Sequence, residues 1–373
     1  MKVTALYVYP IKGLRGIKLK TAPIGPQGVR HDRTFMLFHH DPSTQTTRKL
    51  QLSSHPECSL FSQSIVFDPS APLCTSSATL TVRYRVPSPP LLPHHPSHDQ
   101  PLHIPLNPDW RALSPFPVDL YGSAATGYRM GDPYDAWFSA CFGLPVILVY
   151  IGDARRPILG TSAPSARLPP PSLLATATRH IASLFSLSRP PAPAPPAEWI
   201  TWADMAPLLV TSQASLADVQ ARLPARISMA RFRPNIVVDG AGTPAWDEDF
   251  WARLQIGGSC AAAQLALTAN CVRCTSLNVD ARTGRVGDGE MGQVLRKLMK
   301  DRRVDAGNKY APVFGRYAFL VDGDGGRDEE GALCEVEVSL GDEVTVAERN
   351  EKRDVWDWPS ERERAQAKKA AVS

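Results

Sequence analysis

The sequence predicts a mainly β protein with a few α-helices, of the α+β class, whose second half forms an antiparallel barrel-like sheet. Short segments rich in β-branched and aromatic residues far outnumber segments with helical periodicity. They follow one another at short intervals, bounded by Gly, Pro and Asp, and do not alternate with helices as in a parallel α/β sheet. The 373 residues, 43% of them hydrophobic, suffice for one large or two ordinary domains.

The first part of the chain, residues 1–156, is predicted to form a β-rich domain. The stretch DPYDAWFSACFG predicts a helix, with Asp132 as N-cap, Pro133 at the first helical position and Gly143 as its stop. Strands are expected in five short apolar segments, at residues 2–9, 34–38, 80–86, 118–120 and 145–151.

Two proline-rich segments interrupt this pattern. Residues 87–117, which carry four of the nine histidines, are expected to form a mobile loop. Residues 157–198 contain PPP and PPAPAPP, which can sustain neither a helix nor a sheet, although TRHIASLFSL between them predicts one short helix. The second segment is therefore interpreted as the boundary between two domains, and both segments as inserts at the surface.

Residues 199–348 are predicted to form the second, barrel-like domain. PLLVTSQASLADVQARL predicts a strand followed by an amphipathic helix, and GEMGQVLRKLMK (289–300) predicts a further helix. More strands are expected in IVVDG, FWARLQIG, AQLALTANCVR and EVEVSLGDEVTV. Residues 349–373 are rich in charge and are expected to form a solvated tail.

Charge and composition argue against several classes of protein. The 41 basic residues are nearly balanced by 37 acidic ones, which does not favour nucleic-acid binding. No run of about 18 uncharged apolar residues predicts a membrane span. The N-terminus MKVTALYVYP lacks the apolar core of a signal peptide, so a cytoplasmic protein is expected. The seven cysteines form an odd set with one motif-like pair, so a disulfide scaffold is not expected.

That pair, Cys271 and Cys274 in TANCVRC, is the first candidate site. Two thiols at this spacing can hold a soft metal or cycle as a dithiol, and the cation between them, Arg273, would stabilise a thiolate. A structural zinc site needs two more ligands, and no second CxxC or HxxxH follows. Two half-buried strand thiols would explain the same spacing. From spacing alone, these alternatives stay open.

Cations beside turn residues form the second candidate. They are Lys12 in YPIKGLRG, Arg33 in RHDRTF, Arg231 and Arg233 in RFRPN, and Arg273. Each lies at the end of a predicted strand next to Gly or Pro, where side chains and backbone amides can converge on an anion. A phosphate-bearing ligand would suit them, but the spacing does not show that they converge.

In this order, the motifs resemble those of the MOSC family, proteins with the C-terminal domain of molybdenum cofactor sulfurase, and most closely its amidoxime-reducing members. The resemblance extends over nearly the whole chain. It rests on seven ordered segments: YPIKGLRG, HDRTFML, YRMGDPYDAWFSACFG, SQASLADV, RFRPNIVVDG, CVRCTSLNVDARTG, and PVFGRYAFL followed by VSLGDEV. It implies a β-rich MOSC N-terminal domain, a C-terminal MOSC β-barrel and a molybdenum–molybdopterin cofactor.

The resemblance also assigns roles to residues. It implies that Cys274 is the metal ligand and the catalytic residue, and that Cys271 is structural. Gly13 and Ala206 stand where related proteins often carry a hydroxyl, so Gly13 can contribute only its backbone. The residues implied to hold the pterin and phosphate of the cofactor are Lys12, Gly13, Arg33, Arg233, Asn235, Arg273 and Tyr317.

The function implied by the resemblance is that of a molybdenum oxidoreductase. Its substrates would be small N-hydroxylated compounds, such as amidoximes and hydroxylamines, reduced by two electrons at the N–O bond. A separate donor, cytochrome b5 with its NADH-dependent reductase, would supply the electrons, since the other cysteines lack iron–sulfur spacing. One alternative is a cofactor carrier or sulfur-handling protein without reductase turnover. Another is a zinc or redox β-domain that uses CVRC without molybdenum.

Overall fold

A computed structural model of the chain describes residues 1–66, 78–167, 198–257, 262–323, 326 and 333–358. Over these residues the fold is mainly β with a few helices, which confirms the predicted α+β class. The α-helices are α1 (Tyr134–Phe142), α2 (Gln213–Ala221) and α3 (Val294–Met299). In chain order, the strands are β1 (Val3–Val8), β2 (Ile17–Leu19), β3 (Thr21–Gly25), β4 (Gly28–Val29), β5 (Phe35–Asp41), β6 (Thr46–Lys49), β7 (Phe61–Val66), β8 (Thr79–Tyr84), β9 (Leu102–Pro105), β10 (Ser114–Leu120), β11 (Ser123–Arg129), β12 (Val146–Tyr150), β13 (Arg156–Pro157), β14 (Trp199–Ile200), β15 (Leu208–Ser212), β16 (Ile236–Val238), β17 (Trp251–Ile256), β18 (Ala263–Val272), β19 (Val279–Asp280), β20 (Arg285–Val286), β21 (Val313–Gly323), β22 (Val336–Ser339) and β23 (Val344–Arg349).

The largest sheet has eight strands in the order β2-β1-β16-β15-β21-β18-β17-β23. Its neighbours run antiparallel except for β15 and β16, which are parallel. Strand β15, LLVTS, is buried along its whole length, as expected for an apolar strand between two neighbours. Immediately after it, the Ser212 side chain accepts a hydrogen bond from Ala214 N at 3.1 Å and starts α2.

The first strands do not keep to the predicted N-terminal domain of residues 1–156. Strand β1 lies between β2 and β16 in the large sheet, and β3 pairs with β22 near the end of the chain. Val3 and Leu6 accordingly share a hydrophobic core with Leu208 and Ile236. Hydrophobic periodicity reports which face of a strand is buried, not which distant strand it pairs with, so the sequence could not predict this exchange.

The rest of the N-terminal part consists of a five-stranded sheet, β10-β11-β12-β5-β6, and a three-stranded sheet, β7-β8-β9. Helix α1 packs its apolar residues into their common core. The predicted helix is confirmed, with its N-cap at Pro133, one residue later than predicted. As predicted, Gly143 ends the helix, with φ +69°.

The proline-rich residues 87–117, predicted to be a mobile loop, contain regular structure. Residues 96–98 and 110–112 form 3-10 turns, and β9 pairs with β8. Gln100 O also accepts a hydrogen bond from the Trp137 indole at 3.0 Å. The loop prediction was wrong here because β9 is an edge strand, where a proline such as Pro105 costs no hydrogen bond of the sheet.

The second insert begins and ends on paired strands. Strand β13 runs antiparallel to β14, with Arg156 opposite Ile200, so the chain leaves and re-enters the fold at one point. The short helix predicted in TRHIASLFSL lies outside the described residues. The helix predicted at 289–300 is α-helical only in α3, because residues 289–292, with a glycine at each end, form a 3-10 turn.

Residues 349–373 were predicted to be a solvated tail, and for residues 350–358 this is wrong. Arg353 pairs with the buried Asp249 at 2.8 Å, and Trp356 N donates to Asp305 at 2.8 Å. The charges of the segment favour contact with solvent, but the two tryptophans of VWDWP favour packing against the fold. Elsewhere, no helix within the described ranges is both long enough and apolar enough to cross a bilayer.

Candidate functional site

One cavity, with about 840 Å³ of empty space open to solvent, lies where the N-terminal and C-terminal parts of the chain meet. The residues that the resemblance assigns to the metal and the cofactor line it together: Lys12, Gly13, Arg33, Arg233, Asn235, Arg273, Cys274 and Tyr317. Arg231, the remaining cation of RFRPN, does not, because its guanidinium donates to the carbonyls of Leu277 and Met291.

The two cysteines of CVRC differ in environment. Cys271 lies inside β18 and is buried, whereas Cys274 lies beyond the strand, is exposed, and caps the 3-10 turn at residues 275–278. The Cys274 Sγ is 3.1 Å from Ser276 Oγ. Both residues line the cavity, but the thiol inside the strand is buried and the thiol beyond its end is exposed.

Arg273 connects these two environments. Its Nη1 donates to Cys271 Sγ at 2.8 Å and its Nη2 to Phe232 O at 2.7 Å, which fixes the guanidinium between β18 and the segment before β16. Burial and the neighbouring Cys271 thiol raise the pKa of Tyr317 on β21. Cys271 thus holds Arg273 in place at the cavity wall, close to Tyr317.

Two arginines stack on the buried ring of Tyr9. The guanidinium carbon of Arg233 lies 4.4 Å from the ring centroid and that of Arg33 lies 4.9 Å from it. Asp32, which is buried, pairs with Arg33. Burial lowers the pKa of Arg233, and the neighbouring Arg33 lowers it further. An anion in the cavity would relieve this excess of positive charge.

Backbone strain is concentrated in the cavity wall. Arg33, Arg233 and Tyr121 have φ values of +52°, +57° and +63°, in the left-handed region that non-glycine residues seldom adopt. Gly13 has φ +93°. Such conformations cost on the order of 1–3 kcal/mol each and persist where the surrounding structure imposes them, often at functional sites.

Lys12 is held by protein partners deep in the cavity. Its Nζ donates to Trp202 O at 2.6 Å and to Asp204 Oδ1 at 2.5 Å, which leaves one of its three donors available. Burial lowers the pKa of Lys12 to about 8. For Asp204, burial raises the pKa, but the charges of Lys12 and Arg33 outweigh that effect and hold it well below its usual range.

Asn235 forms hydrogen bonds with the protein around the site. Its Oδ1 accepts hydrogen bonds from Leu209 N at 3.1 Å and Arg33 Nη1 at 3.3 Å, while its Nδ2 donates to Tyr7 O at 3.3 Å. It therefore ties β1, β15 and Arg33 together. Its predicted direct contact with a cofactor stays a prediction.

Several residues of the cavity wall were not predicted from the sequence: Gln51, Ser53, Tyr121, Asp204 and Ser276. Asp204 lies two residues before Ala206 and belongs to no motif that predicts a site. Tyr121 lies in an LYG turn between β10 and β11, a signal for a hairpin but not for a site. Gln51 and Ser53 follow β6 in a stretch without any motif.

Comparison with known proteins agrees with the resemblance noted in the sequence. Residues 1–145 match the MOSC N-terminal beta barrel domain, and residues 197–345 match the MOSC domain. The chain is a member of the MOSC family. The cavity lies between its two MOSC segments, because Lys12, Arg33 and Tyr121 come from the first and Arg233 and Cys274 from the second.

Curated MOSC relatives include proteins named mitochondrial amidoxime-reducing component 1. The mouse protein is 25% identical over 324 residues, covering 85% of this chain and 77% of the relative. The human protein is 25% identical over 327 residues, covering 85% and 78%. Rat mitochondrial amidoxime reducing component 2 is 34% identical over 119 residues, about a third of each chain.

The donors that line this MOSC cavity fit an anionic cofactor better than a bare metal ion. Arg233 Nη2 and Arg273 Nε are buried and have no hydrogen-bond partner among the residues that the structure describes. In the same part of the chain, no group of three His, Cys, Asp or Glu side chains could hold a metal ion. Cys274 has cations and hydroxyls as neighbours, so the other ligands of a metal bound there would come from a cofactor.

Proposed function

We propose that this MOSC protein is a molybdenum-cofactor-dependent reductase of N-hydroxylated compounds, such as amidoximes and hydroxylamines. The observation that carries the proposal is the exposed Cys274 thiol in a cavity whose buried arginine donors lack partners. A thiolate is a soft ligand suited to a metal already bound to sulfur, and guanidinium groups suit phosphate. The names of the relatives supply the substrate class.

In this proposal the residues of the cavity hold the cofactor. Cys274 is the only protein ligand of the metal. Arg233 and Arg273, each with a buried donor that lacks a protein partner, would bind its anionic groups, and Arg33 adds positive charge. Lys12, Gly13, Asn235 and Tyr317 complete the predicted binding residues, with Gly13 contributing its backbone alone.

The reaction consumes two electrons and two protons: R–NHOH + 2 e⁻ + 2 H⁺ gives R–NH₂ + H₂O. When bound, the molybdenum group would supply the electrons that break the N–O bond. The protein must hold a proton near the leaving oxygen. Lys12, whose pKa is lowered to about 8 by burial, holds one at Nζ, and Asp204 Oδ1 connects it to the Tyr121 hydroxyl at 3.3 Å.

The test combines metal analysis with turnover. Purified protein should contain about one molybdenum with pterin per chain, and it should reduce benzamidoxime to benzamidine with a chemically reduced viologen as donor. Zinc or no metal would favour the zinc or dithiol alternative. Full molybdenum occupancy without turnover of any N-hydroxylated compound would favour the cofactor carrier.

We further propose that electrons come from a separate acidic protein, of the cytochrome b5 type, that docks beside the cavity. Arg15, Arg85 and Arg282 are exposed, and the charges of Arg15 and Arg282 add to the effect of burial in lowering the pKa of Arg85. Arg15 lies two residues after Gly13, and Arg282 follows the Cys274 turn. This arginine cluster would attract a negatively charged donor.

Reversing two of these charges should slow turnover with the protein donor only. For Arg85→Glu/Arg282→Glu we expect a decrease of about tenfold or more in kcat/KM for reduced cytochrome b5 at low salt, shrinking as salt is added. Turnover with viologen should be unchanged, as should both activities in the control Arg226→Glu, an exposed arginine after α2. Equal losses with both donors would contradict the docking site.

Truncating Arg233 should weaken retention of the cofactor. Arg233→Ala removes the unpaired Nη2 donor and the stack on Tyr9. Loss of one charge-assisted hydrogen bond, about 1.5–3 kcal/mol, corresponds to a dissociation constant raised roughly 10- to 150-fold. Molybdenum content after dilution and gel filtration measures this. Arg231→Ala, two residues away and outside the cavity, is the matched control; equal retention in the two variants would place Arg233 outside the binding site.

The cytoplasmic location stays a prediction of the sequence. The names of the relatives place them in mitochondria. Fractionation of cells that express the tagged full-length chain distinguishes the two locations.

A further inference from the structure

The segment that follows the last strand contacts a residue of the cavity wall, although it lies beyond the matched MOSC domain, which ends at residue 345. It first pairs Arg353 with Asp249 and then Trp356 N with Asp305. Next, Asp357 Oδ2 accepts a hydrogen bond from Thr161 N at 2.8 Å. These contacts lead residues 350–358 from the edge of the large sheet to the N-terminal part of the chain.

The segment ends against a residue of the cavity wall. The ring of Trp358 lies 4.9 Å from that of Tyr121, at an interplanar angle of 43°. Trp356 supports it from the side, with ring centroids 5.2 Å apart in an edge-to-face arrangement. Two aromatic side chains outside the MOSC domain thus brace a residue that lines the cavity.

Several residues hold Tyr121 in place. Lys49 Nζ lies 3.7 Å from its ring centroid. Its hydroxyl accepts a hydrogen bond from Gln51 at 2.8 Å and donates to Asp204 at 3.3 Å. Its backbone is left-handed at φ +63°, as expected in the two-residue turn that joins the paired residues Leu120 and Ser123. The strand pairing therefore sets the backbone of Tyr121, and side-chain contacts set the position of its ring. Trp358 is one of these contacts, and it lies beyond the matched MOSC domain.

We propose that Trp358 is a positioning residue that holds Tyr121 as the wall facing the substrate, so that residues 350–358 set the size of the N-hydroxylated compound that the cavity accepts. The selectivity part of this inference rests on the proposed function. The positioning part rests on the contacts of Tyr121 alone. Without Trp358, the Tyr121 ring can move towards the vacated space, and its hydroxyl leaves Gln51 and Asp204.

The chain contains a matched control. Trp110 is half-buried like Trp358 and packs on Tyr128 with ring centroids 5.0 Å apart at the same 43°, but neither residue lines the cavity. Trp110→Ala therefore removes an equivalent aromatic pair elsewhere. Trp358→Phe retains an aromatic ring against Tyr121 and should restore whatever Trp358→Ala loses.

The first measurement is amide hydrogen exchange, which requires no activity. Trp358→Ala should speed exchange of the turn between β10 and β11, around Tyr121, by about three- to tenfold, the value expected for one aromatic pair. Trp358→Phe should restore slow exchange, and Trp110→Ala should leave this turn unchanged. Unchanged exchange in Trp358→Ala would overturn the positioning role.

The second measurement compares acetamidoxime with a bulky aryl amidoxime. In Trp358→Ala, KM for acetamidoxime should rise and KM for the aryl compound should fall, changing their kcat/KM ratio by about three- to tenfold at unchanged molybdenum content. A uniform decrease in kcat for both, or the same change in Trp110→Ala, would overturn the selectivity role. A wild-type protein that reduces neither compound would refute the proposed function and the selectivity role, while the exchange result would still decide positioning.

Discussion

Cys274→Ser is expected to abolish reduction of benzamidoxime and to remove most of the bound molybdenum. A serine hydroxyl is a harder ligand and stays protonated near neutral pH, so it cannot replace a thiolate on a sulfur-bound metal. Changes in residues that merely support metal ligands cost about 10- to 100-fold in affinity or activity. Loss of the ligand itself should exceed that range, so we expect less than about 1% of wild-type turnover. Molybdenum per chain and turnover with a viologen donor measure the two effects.

The control is Cys271→Ala, which should keep its molybdenum because the Cys271 thiol is buried and hydrogen-bonded to Arg273, whereas Cys274 is the exposed thiol of the pair. Cys274 is exposed at a turn, so its serine variant should unfold at the same temperature as cofactor-free wild type. Cys271→Ala should instead be less stable, since it removes a buried side chain that accepts a hydrogen bond from Arg273. Equal loss of molybdenum in both variants would mean that the ligand is not Cys274 alone.

The sequence predicted the elements whose signals are local. Helix α1 was recognisable from Pro133 at its start and Gly143 at its end, and α2 from its periodicity after an apolar strand. Strand β1 was recognisable from β-branched and aromatic residues. The regular structure of residues 96–105 was not predicted because proline disfavours a strand except at the edge of a sheet. A single sequence does not show which strand lies at an edge.

The candidate residues were found through motifs, but their convergence needed the structure. Lys12 reaches the cavity because β1 pairs with β16, with Leu6 opposite Ile236, and so brings two distant parts of the chain together. The paired residues are some 230 positions apart in the sequence, so local periodicity cannot predict their pairing. Tyr121 was missed for a related reason. Its place in the cavity wall depends on contacts with Gln51, Asp204 and Trp358, which are distant in sequence.

The prediction of a solvated tail was wrong for residues 350–358 because charged residues in a sequence do not show whether they are exposed to solvent. Charged residues of the segment are partners of buried groups: Arg353 binds Asp249, and Asp354 binds Arg316, which is fully buried. A charged residue forms a buried ion pair only where the fold places an opposite charge beside it. The sequence does not show which residues are brought together in this way. The same ion pairs anchor the path to Trp358.

Asp249→Ala is expected to lower the free energy of unfolding by about 3–5 kcal/mol, the usual loss when one partner of a buried ion pair is removed. Both Asp249 oxygens accept hydrogen bonds from Arg302 Nη2, at 2.8 and 2.9 Å, and both side chains are buried. Removing the carboxylate leaves the Arg302 guanidinium in the core, where its contact with the Trp246 ring offsets only part of the cost. Urea unfolding measures the loss. Glu348→Ala, which breaks the exposed pair with Arg253, should cost less than about 1 kcal/mol.

Because Arg353 binds the same carboxylate, Asp249→Ala should also release the start of the segment that carries Trp358. The effects of Asp249→Ala and Trp358→Ala on exchange at Tyr121 should then be less than additive, since the first change already loosens the contact that the second removes. Fully additive effects would mean that Trp358 holds Tyr121 without help from Arg353. In that case Asp305 and Thr161, which bind the two residues before Trp358, would be sufficient to anchor it.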